Sequence, residues 1–243
     1  MMQHYSIKED TLAIALETSG RLGSVAIGIG GSLSGQKTFS GPMRHSIELF
    51  DTIGDLLQKN NKKAAQIDHI YISTGPGSFT GVRISVAVAK AMAFANNAKI
   101  VAVPTSEAMA KNAENQKINK VATIIDAKRG QFFVAVFKKN SENPLWQKII
   151  PDCLMTTTEF IEKFNTEDIY LLGEGLLYYK EKFKTDKIKI MEEKFWSPRA
   201  ENIFDLGTAM AREDKFSDPL TLEPLYLRKP EAQISWEKKQ NTD

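Results

Sequence analysis

Residues 73–85 read STGPGSFTGVRIS, with three glycines and a proline set between an apolar run and a longer apolar stretch. A strand that hands over to a helix through glycines leaves backbone amides free at the helix start, and such amides can hold an anion. The stretch 75–81 is neither a P-loop nor a dinucleotide fingerprint, because it lacks a Gly-Lys-Ser/Thr ending and its third glycine falls one residue too late. Spacing alone leaves two readings open, a tight strand-to-helix connection and an anion contact. Arg83, on the first turn of the following helix, suits a phosphate, a carboxylate or an acidic partner surface, or simple solvation.

Two carboxylates stand at comparable places. Glu17 and Asp126 each end an apolar run at a short turn, where a carboxylate can hold magnesium through water, with the Thr18 and Ser19 amides beside a phosphate, or can serve only as a turn residue. His45, just ahead of a helix, has no identifiable nucleophile or orienting acid, so a capping or interface role is expected rather than a general base. His4, His45 and His69 lie far apart, Cys153 is the single cysteine, and neither H-E-x-x-H nor Cys-x-x-Cys occurs. A metal centre, an internal disulfide and a hydrolase triad are therefore not expected. The 32 basic and 30 acidic side chains leave a net charge of +2, too little field to capture a polyphosphate backbone without a partner. With no signal-peptide pattern and no membrane-length apolar run, a cytoplasmic location is expected.

The elements that must position these residues follow from periodicity. Residues 11–17 and 24–30 read as strands of a hairpin around the turn 18–23, and residues 121–127 and 131–137 repeat the plan around 128–130, placing Asp126 where Glu17 stood. Residues 45–60 carry Leu49, Phe50, Ile53, Leu56 and Leu57 at amphipathic spacing, with Ile47 off the stripe. Residues 67–73 and 99–103 read as strands flanking a helix over 82–96, and 169–173 as a further strand. Ser197-Pro198 is expected to open a last helix running to about Arg212. Strands alternating with helices predict an α/β chain. We expect a first lobe over 1–108, a smaller second lobe over 109–196, a returning C-terminal helix and segment over 197–230, and a polar tail over 231–243.

The helix over 82–96 is unusual. From Val82 to Ala95 only Arg83 and Lys90 are charged, so it is apolar nearly all round, where a surface helix needs one apolar stripe. Either both faces are covered within the chain, or one meets a second subunit; the second reading is preferred because large exposed apolar patches mark interfaces.

In order, ETS with SVAI, HSIELF, STGPGSFTGVRIS, IIDAKRGQ and PLYLR closely resemble the TsaB (YeaZ) family, a bacterial subunit of the machinery that makes threonylcarbamoyladenosine beside the tRNA anticodon. The resemblance spans Leu12 to Arg228. It implies a duplicated two-lobe fold of the actin, sugar-kinase and Hsp70 type (ASKHA). It also implies a non-catalytic subunit that docks on the sister TsaD transferase, with a TsaE-type ATPase joining the pair and tRNA contacted through the complex. In the sister family a histidine pair holds a metal after the strand equivalent to 99–103; here the place reads PTSEAM, with Thr105 and Met109. ATP and metal are thus expected chiefly on partner subunits, with Glu17, Thr18, Ser19, Gly75 and Gly77 a vestigial nucleotide loop. Family dimers form through two first-lobe helices. The implied interface here is His45, Leu49, Phe50, Ile53, Leu57, Phe79, Arg83, Val86, Ala87, Lys90, Ala91 and Phe94, with a homodimer expected in isolation. The alternative is an autonomous sugar-kinase-like phosphotransferase or a peptidase.

Overall fold

A computed structural model describes residues 6–140 and 145–227. The polar tail 231–243, His4 and Arg228 lie outside the described residues. The first half forms β1 (Leu12–Glu17), β2 (Ser24–Ile29), β3 (Ser32–Thr38), α1 (His45–Lys59), β4 (Ile67–Ser73), α2 (Phe79–Asn96), β5 (Lys99–Val103) and α3 (Thr105–Lys111). The second half repeats this order as β6 (Lys120–Asp126), β7 (Gln131–Lys138), β8 (Gln147–Thr156), α4 (Thr157–Phe164), β9 (Ile169–Leu172), α5 (Leu176–Phe183), β10 (Ile188–Ile190) and α6 (Ala200–Arg212).

The two sheets share one topology. The first runs β3-β2-β1-β4-β5 and the second β8-β7-β6-β9-β10, with the three hairpin strands antiparallel and the last two parallel to the central one in both. Glu17 and Asp126 end the two central strands, so the internal repeat seen in the sequence is a structural duplication, and the fold is the two-lobe ASKHA type.

Central strand β1 is buried along its whole length, as a strand flanked and covered on both faces must be. Its large residues, Leu12, Ile14 and Leu16, share a core with Leu49, Ile53, Leu56 and Leu57 of α1 and Val86 and Ala89 of α2. On the other face, Ala13 and Ala15 leave room for α6, whose Ile203 and Phe204 pack there. A Cβ on Gly207 of α6 would overlap the Tyr71 ring, so glycine sets how closely that helix approaches β4. The last helix of each half serves the other: α6 covers the first sheet, while α3 sends Met109 and Ala110 into the second-lobe core with Phe160, Phe164 and Phe183. Trp196 closes that second core and Ala200 already belongs to the first, so the chain crosses between lobes within four residues.

Several sequence expectations need correcting. The last helix begins at Ala200 with Arg199 as N-cap; the Ser197 hydroxyl instead donates to Glu174 at 2.7 Å. The first of the two interface helices ends at Lys59, and the second starts three residues before Val82, at Phe79, capped by Ser78, whose hydroxyl accepts from the Gly81 amide. Phe50 does not share the core stripe of α1 but is exposed. Strands β3 and β8 and helices α4 and α5 were not anticipated. Among the described residues no helix is long and apolar enough to cross a membrane.

Candidate docking face and inter-lobe cleft

The glycine-rich loop packs on the first hairpin turn. Ser78 N donates to Ser19 O at 2.7 Å and Thr18 Oγ1 to Gly81 O at 2.7 Å. A Cβ on Gly77 would press on the Ser19 carbonyl, and one on Gly81 would overlap the Thr18 carbonyl oxygen. Two of the three glycines therefore exist because backbone meets backbone there. Gly75 has φ of +104°, a left-handed value that side chains disfavour, and its carbonyl accepts from Thr105 N at 2.8 Å.

Each hairpin turn is closed by its own carboxylate. Glu17 is fully buried; its Oε1 accepts from Ser19 N at 2.6 Å, Ser19 Oγ at 2.6 Å and Gly20 N at 3.2 Å, while Oε2 has no partner among the described residues. Burial pushes this carboxyl up to about 7, against the pull of the Ser19 hydroxyl and amide. In the second lobe Asp126 Oδ1 accepts from Lys128 N at 2.7 Å and Oδ2 from Lys128 Nζ at 2.7 Å. Thr105 donates to Ser19 Oγ at 3.0 Å beneath the same turn, and Met109 is enclosed in the second-lobe core. Among the described residues no three His, Cys, Asp or Glu side chains converge as a metal-binding group.

Between the lobes lies a cavity of about 760 Å³, with Ser19 and Gly20 from the first turn, Phe79 and Arg83 from α2, and Asp126 and Tyr178 from the second lobe among its lining residues. Arg83 is not freely solvated: its guanidinium lies 3.8 Å from the Phe79 ring centroid and its Nε donates to Tyr226 Oη at 2.8 Å. Aromatic stacking and that bond hold the cation at the cleft rim.

Outside the cleft, α1 and α2 share an apolar outer face. Ile47 and Phe50 on α1 and Phe94 on α2 are between 62% and 64% exposed, as is Met43 just before α1 at 61%, although Met43 also reaches the cleft; Ala87 and Ala91 of α2 are exposed too. Small alanines on such a face permit close approach of another helix. Five of the twelve residues expected at the interface are buried in the chain instead. Leu49, Ile53, Leu57 and Val86 are buried in the chain's own first-lobe core, because the stripe that makes α1 amphipathic is the stripe that meets the sheet. His45 is buried too, its ring against Phe39 and its Nε2 3.0 Å from Gly20 O; it is not a cap, and burial lowers its pKa. Lys90 is half-buried, whereas Phe50, Phe79, Arg83, Ala87, Ala91 and Phe94 are exposed. Ile47 and Met43 are the residues that sequence reasoning missed. The signal for Ile47 was present: an isoleucine off the core stripe of an amphipathic helix must face outward.

Comparison with known proteins adds an independent line. The family model described as TsaD: tRNA N6-adenosine threonylcarbamoyltransferase matches residues 42–236. The tRNA threonylcarbamoyladenosine biosynthesis protein TsaB of Bacillus subtilis (strain 168) is 28% identical over 197 residues, covering 79% of this chain and 83% of that one. Its namesake in Escherichia coli (strain K12) is 24% identical over 228 residues, covering 93% and 96%. Among solved structures, YeaZ from Pseudomonas aeruginosa superposes with a TM-score of 0.77 at 23% identity, over 89% of this chain and all of that one. A second protein from that organism, described as similar to peptidase YEAZ, gives 0.78 at 24% identity, with 90% and 100% covered. The chain thus belongs to the family described by the TsaD model and, within it, to the TsaB (YeaZ) group.

Proposed function

We propose that this chain takes part in tRNA threonylcarbamoyladenosine biosynthesis as a scaffold subunit. It docks through the outer face of α1 and α2 on a TsaD-type threonylcarbamoyltransferase and holds it in an active arrangement. The chain itself performs no chemistry; ATP and metal sit chiefly on the transferase and on a TsaE-type ATPase, and tRNA is reached through the complex. The observation that carries this reading is the exposure of Ile47 and Phe50 on α1 and of Phe94 on α2, large apolar side chains that the chain's own core does not cover. Uncovered, such a face lends itself to pairing with a second copy, so a homodimer is expected when the chain is alone.

Phe94→Arg tests the proposal, because Phe94 contributes to the outer face and its loss leaves the core untouched. Coexpression with the TsaD-type subunit followed by light scattering is expected to show no pairing, with the thermal unfolding of the variant unchanged. Full pairing by this variant would refute the docking face.

One feature favours a second reading, an autonomous phosphotransferase: Glu17, a carboxyl with a raised pKa, closes the turn whose Ser19 and Gly20 line a cleft of ligand size. Against it, one oxygen of that carboxylate, Oε1, is already held by the Ser19 and Gly20 amides and the Ser19 hydroxyl of its own turn. Calorimetry with magnesium and ATP separates the two, since micromolar binding by the isolated chain supports the phosphotransferase.

A further inference from the structure

The hairpin turn between β1 and β2 sits where three parts of the molecule meet. Its residues 19–21 offer six backbone polar groups, and each has an identified partner. Ser19 N and Gly20 N are both held by Glu17, which makes the turn one closed unit. The three carbonyls point to the starts of the two outer helices: Ser19 O accepts from Ser78 N at the head of α2, Arg21 O from Met43 N at 2.9 Å, and Gly20 O faces His45 Nε2 at the head of α1. The sixth group, Arg21 N, is taken across the cleft by Glu174 Oε2 at 2.8 Å.

Glu174 belongs to the second lobe, in the turn between β9 and α5. Its other oxygen accepts from Ser197 Oγ at 2.7 Å, in the connector that carries the chain back to the first lobe. Pro198 of that connector packs so tightly on Gly20 that a Cβ there would come within 2.9 Å of the proline ring. The Arg21 N–Glu174 bond lies at the surface, and among the six bonds of the turn it is the one whose partner comes from the second lobe.

Resting on the docking reading above, we infer that Glu174 is a positioning residue: by tying Arg21 N to the second lobe it fixes the turn against which the first turns of α1 and α2 are set, and so lets the second lobe govern the docking face. A molecule entering the cleft, or a partner separating the lobes, would withdraw Glu174 and free the turn that seats both helix heads.

Hydrogen exchange on the isolated chain, combined with an affinity measurement against the TsaD-type subunit, tests it. Glu174→Ala is expected to raise amide exchange roughly tenfold at residues 43–49 and 78–83 as well as at 19–21, and to weaken pairing by a similar factor. Glu174→Gln should restore both, since an amide oxygen accepts from Arg21 N and its NH₂ donates to the Ser197 hydroxyl. Ser197→Ala, a milder change, should produce the same pattern at smaller amplitude if Glu174→Ala does not fold. Exchange confined to residues 174–178 and Arg21, with normal pairing, would overturn the inference, as would a Glu174→Gln variant as defective as Glu174→Ala. If the wild-type chain never pairs with the transferase, the docking reading fails while the exchange pattern still decides whether the turn transmits.

Discussion

Glu17→Gln should make this protein more stable at alkaline pH while changing little at acid pH. The carboxyl is fully buried, and desolvation lifts it from an ordinary value of 4.5 to about 7. A carboxyl raised on folding contributes stability that is present below its unfolded pKa and lost as pH rises through the folded one. At about 1.4 kcal/mol for each pH unit between the two values, ionising Glu17 in place costs about 3 kcal/mol once the pH passes 8. Glutamine keeps the oxygen that Ser19 N, Ser19 Oγ and Gly20 N address and carries no charge to desolvate. The wild type alone would not reveal this, because burial lowers His45, and lowers His69 to about 4. Both histidines lose stability as pH falls below about 6.5, which is the opposite slope. The difference between variant and wild type removes them. Urea unfolding followed by tryptophan fluorescence at pH 5, 6, 7 and 8 should show the advantage of Glu17→Gln growing by about 2 to 3 kcal/mol across that span. A difference that stays constant with pH would mean that Glu17 titrates alike in the folded and unfolded chain, as it would if water solvated it beneath the turn, and the reasoning would be wrong.

Two further outcomes follow from contacts in the fold. Gly81→Ala should destabilise by about 1–3 kcal/mol in thermal unfolding despite the better helix propensity of alanine, since its Cβ has no room beside the Thr18 carbonyl. Thr156→Ala removes a reciprocal cap, in which Glu159 N donates to Thr156 Oγ1 and Thr156 N to the Glu159 carboxylate, and should cost about 1 kcal/mol by chemical denaturation.

The hairpins, the first-lobe strands and the long helices were legible because β-formers bounded by turns, or apolar residues at helical spacing, mark elements that bury a face. Strand β3, SLSGQKT, carries no such mark: it is exposed along most of its length and owes its place to its backbone ladder with β2. Strand β8 contains Pro151, which argues against a strand unless the strand lies at an edge, as this one does. Helices α4 and α5 have eight residues each, too few for periodicity to speak. The residue set that the resemblance implied for the interface mixes buried and exposed positions of α1, because Leu49, Ile53 and Leu57 form the stripe that meets the sheet while Phe50 faces outward. Periodicity could not show Glu174 at all, since the contact with Arg21 joins residues 153 positions apart and leaves no trace in local pattern.

The exchange of α3 and α6 between the sheets bears on how such a molecule could arise. A half-length ancestor would have left one side of its sheet bare, with nothing over the face now closed by Ile203 and Phe204. Two copies trading their last helices would have covered both bare sides, so joining them end to end preserved a pairing rather than created one. By the same logic, severing the connector today would release two unfinished pieces, not two domains.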